Sequence, residues 1–177
     1  SRHDPLTGLA NRTGLHTAVE CARAGDVGSS LTMLVLDLDR FKEINDAFGH
    51  ATGDACLKVV AGRIRDVARG AVSVARLGGD EFAIVLSDRI DADSLAREII
   101  RVTRIPIACG NEKHQVGASI GIGCGSEDDA ELLRRADIAL YVAKAAGGDT
   151  YRQFETNMDP IVRPLVSAPG LVPVESS

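Results

Sequence analysis

Two groups of acidic residues lie where strand-like apolar runs meet turns. Asp37 and Asp39 follow the run Leu31–Leu36, and Asp80 and Glu81 follow a pair of glycines at the start of another apolar run. Four carboxylates brought together at one edge of a sheet repel one another unless cations lie between them, and hard oxygen ligands select Mg²⁺ or Mn²⁺. A solvated turn explains any single one of these acids. The two groups together favour a metal site without deciding it.

The glycine pair Gly78–Gly79 suits such a site. Glycine adopts positive φ without strain and has no side chain, so a bulky group can approach the backbone of the turn. A metal-bound phosphate fits that space. Side chains alternate along a strand, so Asp37 and Asp39 share one face if their strand continues as far as Asp39.

The composition excludes several classes of protein. The chain has 177 residues, of which 45% are hydrophobic and 25% charged, as is typical of one globular domain. A net charge of −5, with four Phe, two Tyr and no Trp, argues against binding to a nucleic-acid polymer. The four cysteines lack C-x-x-C spacing, and the apolar runs are too short to span a bilayer.

Hydrophobic periodicity and glycine positions predict an α/β domain with the element order αβααββαββαβ. The central sheet is predicted to be mixed and mostly antiparallel, with helices flanking it. A first hairpin turns at Gly78–Gly79, and a second is predicted to pair residues 105–108 with 115–123. The predicted helices cover about 11–24, 40–48, 52–69, 93–104 and 128–146, and the predicted strands cover about 31–36, 72–77, 82–86, 105–108, 115–123 and 150–154.

The chain is predicted to divide into a domain at residues 1–156 and a tail at 157–177. Four of the six prolines lie in the last 18 residues. Proline stops helices and disrupts central strands, so we expect a disordered tail or the remnant of a linker. Because the sequence begins with Ser rather than Met, we also expect it to be part of a longer protein.

Five segments, in order, resemble the GGDEF family of diguanylate cyclases. The most specific is the RLGGDEF sequence, and the matches extend over about residues 4–154. The set comprises Asp4–Arg12 (DPLTGLANR), Asp37–Asp46 (DLDRFKEIND), Phe48–Asp54 (FGHATGD), Arg76–Phe82 (RLGGDEF) and Ala136–Lys144 (ADIALYVAK).

The resemblance implies a fold like that of nucleotidyl cyclases and the polymerase palm. It also implies an activity, the condensation of two GTP into cyclic di-GMP and two pyrophosphates across a homodimer. The reaction is attack of a 3′-hydroxyl on an α-phosphate, assisted by two Mg²⁺ or Mn²⁺ ions per active site.

The same resemblance assigns roles to individual residues. Asp80 and Glu81 become the catalytic acids, and the sequence does not choose which of them accepts a proton. Without the resemblance, Lys42 and Lys144 would be interpreted as solvated charges. The metal ligands are Asp37, the Leu38 backbone carbonyl, Asp80 and Glu81; the guanine ligands are Asn45 and Asp54; the phosphate ligands are Lys42 and Lys144; and Gly78 and Gly79 form the turn beside the substrate.

Two positions depart from the family pattern. The product-binding inhibitory site is degenerate, since Arg69 is present but Val72 replaces the acid, and we expect weak or absent product inhibition. Gly148 occupies the position of a phosphate-binding arginine. Loss of one charge-assisted contact lowers GTP affinity by about ten- to a hundredfold. Arg152 is a candidate replacement.

Two functions therefore stay open, an active cyclase or a GTP-binding regulatory module without turnover that controls an attached domain. We expect a cytoplasmic location for this domain, and an upstream sensor and a downstream EAL phosphodiesterase domain in the parent protein. Whether the parent protein also has a membrane anchor stays open. Asp4 and Arg12 are predicted to fix the N-terminal segment by ion pairing, and Asp137 to be structural.

Overall fold

The computed structural model describes residues 1–25 and 30–158. These residues form five helices and seven strands, followed by a short 3-10 turn at Thr156–Met158. The helices are α1 (Arg12–Gly25), α2 (Phe41–Phe48), α3 (His50–Val67), α4 (Ala92–Thr103) and α5 (Asp129–Ala145), and the strands are β1 (Leu31–Asp39), β2 (Ser73–Gly78), β3 (Glu81–Ser87), β4 (Ile107–Cys109), β5 (Glu112–His114), β6 (Gly117–Gly123) and β7 (Tyr151–Gln153).

The central sheet has five strands in the order β2-β3-β1-β6-β7. All neighbours are antiparallel except β6 and β7, which run parallel. The prediction of a mixed and mostly antiparallel sheet flanked by helices is therefore confirmed. β1 lies in the middle because its apolar run can be buried on both faces.

Each face of the sheet has its own hydrophobic core. Leu34 and Leu36 of β1 pack with the buried residues of α3 and α4. Met33 and Val35, one residue out of phase, pack with those of α1 and α5. Since Asp37 continues the second set, it emerges on the α1 and α5 face, where the sheet rim opens.

The second predicted hairpin is wrong. Residues 107–109 pair with Glu112–His114 in a separate two-stranded sheet. Gly117–Gly123 instead joins the central sheet beside β1. The reason is burial, because β6 is covered on both faces, and a two-stranded hairpin at the edge offers no such cover.

Within the described residues, no helix combines the length and apolar character needed to cross a membrane. Most of the predicted tail, residues 159–177, lies outside the described part of the chain. The domain boundary at residue 156 stays a prediction.

Candidate functional site

Three of the predicted acids meet at one end of β1 and β3. Asp37 and Glu81 are cross-strand partners in the antiparallel register of these two strands. The backbone carbonyl of Asp80 accepts a hydrogen bond of 3.3 Å from the backbone N–H of Leu38. We call Asp37, Asp80 and Glu81 the acidic rim. Residues more than forty positions apart in sequence are thus brought together by strand pairing.

The acidic rim repels itself electrostatically. Burial raises the pKa of Asp80 and of Glu81, and the charge of Asp37 raises both further. A bound cation would relieve this repulsion. Among the residues that the structure describes, no group of three or more His, Cys, Asp or Glu is already arranged around a metal position. The rim supplies hard oxygen donors, which suit Mg²⁺ or Mn²⁺, for only part of a coordination sphere.

Lys144 reaches the rim from α5. Its ammonium group forms an ion pair with Oδ2 of Asp37, and the lysine side chain is 45% exposed. The predicted phosphate ligand therefore lies beside the predicted metal ligand. This position suits a lysine that neutralises charge on a bound anion. Lys42 is exposed on the first turn of α2, and both interpretations of it stand.

Asp39 does not share the role of the rim. β1 does continue to Asp39, so its side chain starts from the same face as Asp37. Its carboxylate accepts a bond of 2.8 Å from Ser119 Oγ and one of 2.7 Å from the backbone N–H of Asp149. Asp39 therefore holds the segment after α5 in place.

The glycine turn between β2 and β3 leaves open space beside the rim. Gly78 has φ 147° and Gly79 φ 51°, and a Cβ built at either position meets nothing within 4 Å. Arg76 Nε donates to the Gly79 carbonyl at 2.9 Å and so holds the turn. The substrate contacts of Gly78 and Gly79 stay predictions.

The N-terminal segment is fixed by one ion pair of low exposure. Arg76 Nη1 lies 3.0 Å from Asp4 Oδ1, with side chains 13% and 14% exposed. Burial opposes the charge of Asp4, but bonds from Thr7 and Arg76 outweigh it and lower the pKa of Asp4. The predicted anchoring role of Asp4 fits this geometry, and its ion-pair partner is Arg76.

Arg12 and Asp137 adjoin the rim, which the sequence did not indicate. Burial together with the charges of Glu81 and Asp37 raises the pKa of Asp137 to about 6, and Arg12 opposes that rise. Arg12 also opposes the rise in the pKa of Glu81. For Asp137, the sequence did contain a usable signal. Asp137 lies seven residues before Lys144, and this spacing places both side chains on one side of α5.

The predicted guanine ligands lie on the helical hairpin after β1. Asn45 is on α2 and Asp54 is on the first turns of α3, with Gly49 at φ 88° between the helices. Asn45 Oδ1 is buried without a hydrogen-bond partner. A Cβ built on Gly53 would lie 1.8 Å from that oxygen, so only glycine leaves room for the amide. An unsatisfied buried acceptor beside the exposed Asp54 suits a ligand that brings N–H donors.

The degenerate inhibitory position shows no acidic partner for a nucleobase. Arg69 is exposed beyond the end of α3, where its Nη2 lies 3.5 Å from Asp66 Oδ1. Val72 is partly buried, and its backbone N–H donates to the Val85 carbonyl at 2.8 Å. Neither the valine side chain nor its backbone amide is available to bind a guanine edge.

We expect cyclic di-GMP to inhibit this chain weakly or not at all through that site. Titration of the nucleotide against the purified protein, followed by calorimetry, measures the affinity. Arg69→Ala serves as the variant and should match the wild type. Tight stoichiometric binding that Arg69→Ala abolishes would contradict the prediction.

The segment after α5 provides no cation at the position of the missing arginine. Gly148 has φ 74°, and a Cβ there would lie 3.1 Å from Asp39 Oδ2. Arg152 donates to Thr150 Oγ1 at 3.1 Å and to the Tyr151 carbonyl at 2.8 Å. Nη1 of Arg152 is therefore held by local hydrogen bonds at the start of β7.

The chain belongs to the GGDEF family. The family model described as "Diguanylate cyclase, GGDEF domain" matches residues 1–150. The chain is 41% identical to the diguanylate cyclase DgcP of Pseudomonas aeruginosa over 82% of this chain and 23% of that protein. It is 38% identical to the bifunctional diguanylate cyclase/cyclic di-GMP phosphodiesterase MucR of the same organism, over 89% of this chain and 24% of that protein.

A solved structure resembles the fold closely. The GGDEF domain of YfiN (TpbB) from Pseudomonas aeruginosa superposes with a TM-score of 0.80 and 38% identity, and the match covers 91% of this chain and 99% of that one. The chain spans about a quarter or less of the length of the curated relatives it matches. The family and the cyclic di-GMP signalling class are thereby established for this domain.

Proposed function

We propose that this domain is an active diguanylate cyclase, which condenses two GTP into cyclic di-GMP and two pyrophosphates. The observation that carries the proposal is the pairing of Asp37 with Glu81 across β1 and β3, next to Asp80 and an open glycine turn. A purely structural rim would gain nothing from acids placed so that burial and the charge of Asp37 raise the pKa values of Asp80 and Glu81. Binding of a divalent cation and a phosphate would explain why these acids lie together.

The donor set of the rim fits Mg²⁺ or Mn²⁺, and we propose two ions per active site. Asp37, the Leu38 backbone carbonyl, Asp80 and Glu81 would hold them, and the substrate phosphates would complete the coordination. The ions supply charge neutralisation at the phosphates and a lowered pKa for the attacking hydroxyl.

The chain's own residues would bind and orient the nucleotide. Asn45 Oδ1 accepts from the donor edge of guanine, and Asp54 adds a second acceptor. Lys144 exchanges its ion pair with Asp37 for a phosphate oxygen. Asp80 or Glu81, whose raised pKa values favour proton uptake, accepts the proton of the 3′-hydroxyl.

A second copy of the domain completes the proposed reaction. One domain holds one GTP, so the nucleophile and the α-phosphate that it attacks come from two domains. We propose a homodimer for this reason, formed transiently by the isolated domain and stabilised by an upstream sensor in the parent protein. A cytoplasmic location follows from the substrate.

Incubation with GTP and Mg²⁺ at high protein concentration, followed by chromatography of the products, tests the proposal. We expect cyclic di-GMP and pyrophosphate in a 1:2 ratio. The rate per domain should rise with protein concentration, because the active species is a dimer. GTP binding without any cyclic di-GMP at the highest concentration would contradict the enzyme.

Gly148 favours the second candidate, a GTP-binding regulatory module. Without the phosphate-binding arginine, the domain has one fewer contact to hold the substrate phosphates during turnover. The bifunctional relative MucR carries both activities in one chain. In this candidate, GTP bound at Asn45 and Asp54 would control a downstream EAL domain. The same chromatography distinguishes the two, since the module binds GTP and forms no product.

Gly53→Ala should weaken GTP binding without unfolding the domain. The new Cβ would lie 1.8 Å from Asn45 Oδ1 and force the amide out of its position. We expect GTP affinity to fall about tenfold, the equivalent of one lost hydrogen bond to a nucleobase. Fluorescence titration with a labelled GTP measures it.

Asn45→Ala is the matched variant for this prediction. If the glycine acts only by making room for the amide, the double variant binds GTP no more weakly than Asn45→Ala alone. Additive losses in the double variant would show that Gly53 acts by another route.

A further inference from the structure

A cavity of about 240 Å³ lies against the segment that lacks the phosphate-binding arginine. Asp39 connects this segment to the rim, since its carboxylate accepts from Asp149 N and lies 3.1 Å from a Cβ position on Gly148. The lining includes two arginines and two acids, as well as one of the segment's glycines. These residues are Arg40, Arg104, Asp39, Asp149 and Gly147.

Most of the charge around this cavity is already satisfied. Arg104 Nε donates to Asp149 Oδ2 at 2.7 Å, and Arg104 Nη2 donates to the Asp149 carbonyl at 3.2 Å. Asp39 accepts from Ser119 Oγ and from Asp149 N, one bond at each carboxylate oxygen. An incoming phosphate thus meets acids that are hydrogen-bonded, and it cannot recruit Arg104 without breaking the pair with Asp149.

Arg40 differs from Arg104, which is also exposed, in having no partner among the described residues. It is exposed, and across residues 1–25 and 30–158 its guanidinium has no hydrogen-bond or ion-pair partner. It also has φ 65° and ψ 10°, a left-handed conformation at the junction of β1 and α2. A non-glycine residue is strained in that conformation, and such strain clusters at ligand sites.

The alternative cation, Arg152, is less available. Its Nη1 donates two local hydrogen bonds, to Thr150 Oγ1 and to the Tyr151 carbonyl. Arg152 is also absent from the lining of this cavity, whereas Arg40 follows Asp39 directly. Geometry therefore favours Arg40 over Arg152.

We propose that Arg40 binds the β- and γ-phosphates of GTP and takes the role of the phosphate-binding arginine whose position is occupied here by Gly148. This inference rests on the proposed function only in requiring that GTP binds at the acidic rim. The triphosphate would extend from Asp37 and Lys144 along the Asp39 segment into the cavity. The guanidinium of Arg40 would there donate two hydrogen bonds to phosphate oxygens.

Binding of 3′-deoxy-GTP with Mg²⁺ tests the inference without turnover, because this nucleotide lacks the attacking hydroxyl. Calorimetry compares the wild type with Arg40→Met, Arg40→Lys and the matched control Arg152→Met, all on the full 177-residue chain. GMP, which lacks the β- and γ-phosphates, serves as the second ligand. Circular dichroism confirms that each variant is folded.

We expect Arg40→Met to lose about ten- to a hundredfold in affinity for 3′-deoxy-GTP and to bind GMP like the wild type. Arg40→Lys should lie between the two, and Arg152→Met should match the wild type. Equal losses for Arg40→Met and Arg152→Met would overturn the inference, as would a parallel loss of GMP binding. A wild type that does not bind 3′-deoxy-GTP overturns it too.

The proposed function fails by a different result. A wild type that binds 3′-deoxy-GTP, loses that affinity in Arg40→Met and forms no cyclic di-GMP from GTP contradicts the cyclase and supports the role of Arg40. A wild type that forms cyclic di-GMP while Arg40→Met binds normally supports the cyclase and contradicts the role of Arg40.

Discussion

Glu81→Gln should lower cyclic di-GMP formation about a thousandfold, the loss typical of removing a group that transfers a proton or holds a catalytic cation. Glutamine keeps the size of the side chain and one oxygen, so the packing of β3 against β1 is unchanged. It removes the negative charge that faces Asp37 across the strand pair. Product formation from GTP and Mg²⁺, measured by chromatography at equal protein concentration, gives the ratio.

The same substitution should not destabilise the metal-free domain. Burial and the charge of Asp37 raise the pKa of Glu81, so the folded protein holds a proton there more tightly than the unfolded chain does. Stability from this group is present at low pH and is lost as pH rises through the folded pKa. At pH 7 the ionised carboxylate therefore costs stability, and Glu81→Gln should unfold at the same temperature as the wild type or a higher one.

Asp88→Asn is the matched control, because Asp88 is an exposed acid just beyond the opposite end of β3. It should retain full activity. The role of Glu81 would be contradicted if Glu81→Gln kept more than about a tenth of the wild-type rate, since loss of a general base alone typically costs more than that. A fall in both activity and melting temperature would indicate a structural role instead.

Gly121→Ala should be the most destabilising single methyl addition in the sheet. A Cβ on this residue would lie 2.0 Å from the Ala136 carbonyl oxygen and 2.3 Å from the Leu140 backbone nitrogen. Both are backbone atoms of α5, so no side chain can rotate away and the helix must move off β6. We expect a cost of about 3 kcal/mol or more, and a melting temperature lower by about 10 °C.

Gly62→Ala makes the same chemical change, and we expect it to stabilise the domain. The nearest atom to its added Cβ is the end of the flexible Arg65 side chain at 4.0 Å. Alanine favours the helix over glycine, so this variant should gain about 0.4–1 kcal/mol. Differential scanning calorimetry of the two variants and the wild type checks both. Equal melting temperatures for Gly121→Ala and the wild type would show that α5 is not seated against β6 as described.

Local patterns in the sequence predicted most of the elements. The run Leu31–Leu36 predicted a buried central strand, and the Gly78–Gly79 pair predicted the hairpin that carries Asp80 and Glu81. Both signals are local, since they depend on apolar periodicity and on the conformational freedom of glycine. The ordered motifs supplied the family, and the family supplied the fold.

Pairing partners were the weakest part of the prediction. Residues 105–108 and 115–123 were predicted to form a hairpin because they flank Gly110–Asn111, whereas β6 in fact lies beside β1. Likewise, Asp4 was expected to fix the N-terminal segment by ion pairing, but the sequence did not indicate that its partner is Arg76. Such partners are selected by burial on two faces and by charge complementarity. Neither effect can be detected from the local periodicity of the sequence.

The sequence by itself determined the family, the element types and the acids available for chemistry. The tertiary structure alone decided that Glu81 faces Asp37 and that Gly53 makes room for Asn45. It also decided that Arg40 lies beside the Gly148 segment with no ion-pair partner among the described residues. The physical reason is distance. Each of these relations depends on close contacts or electrostatic forces between side chains on different elements, and only folding brings those elements together.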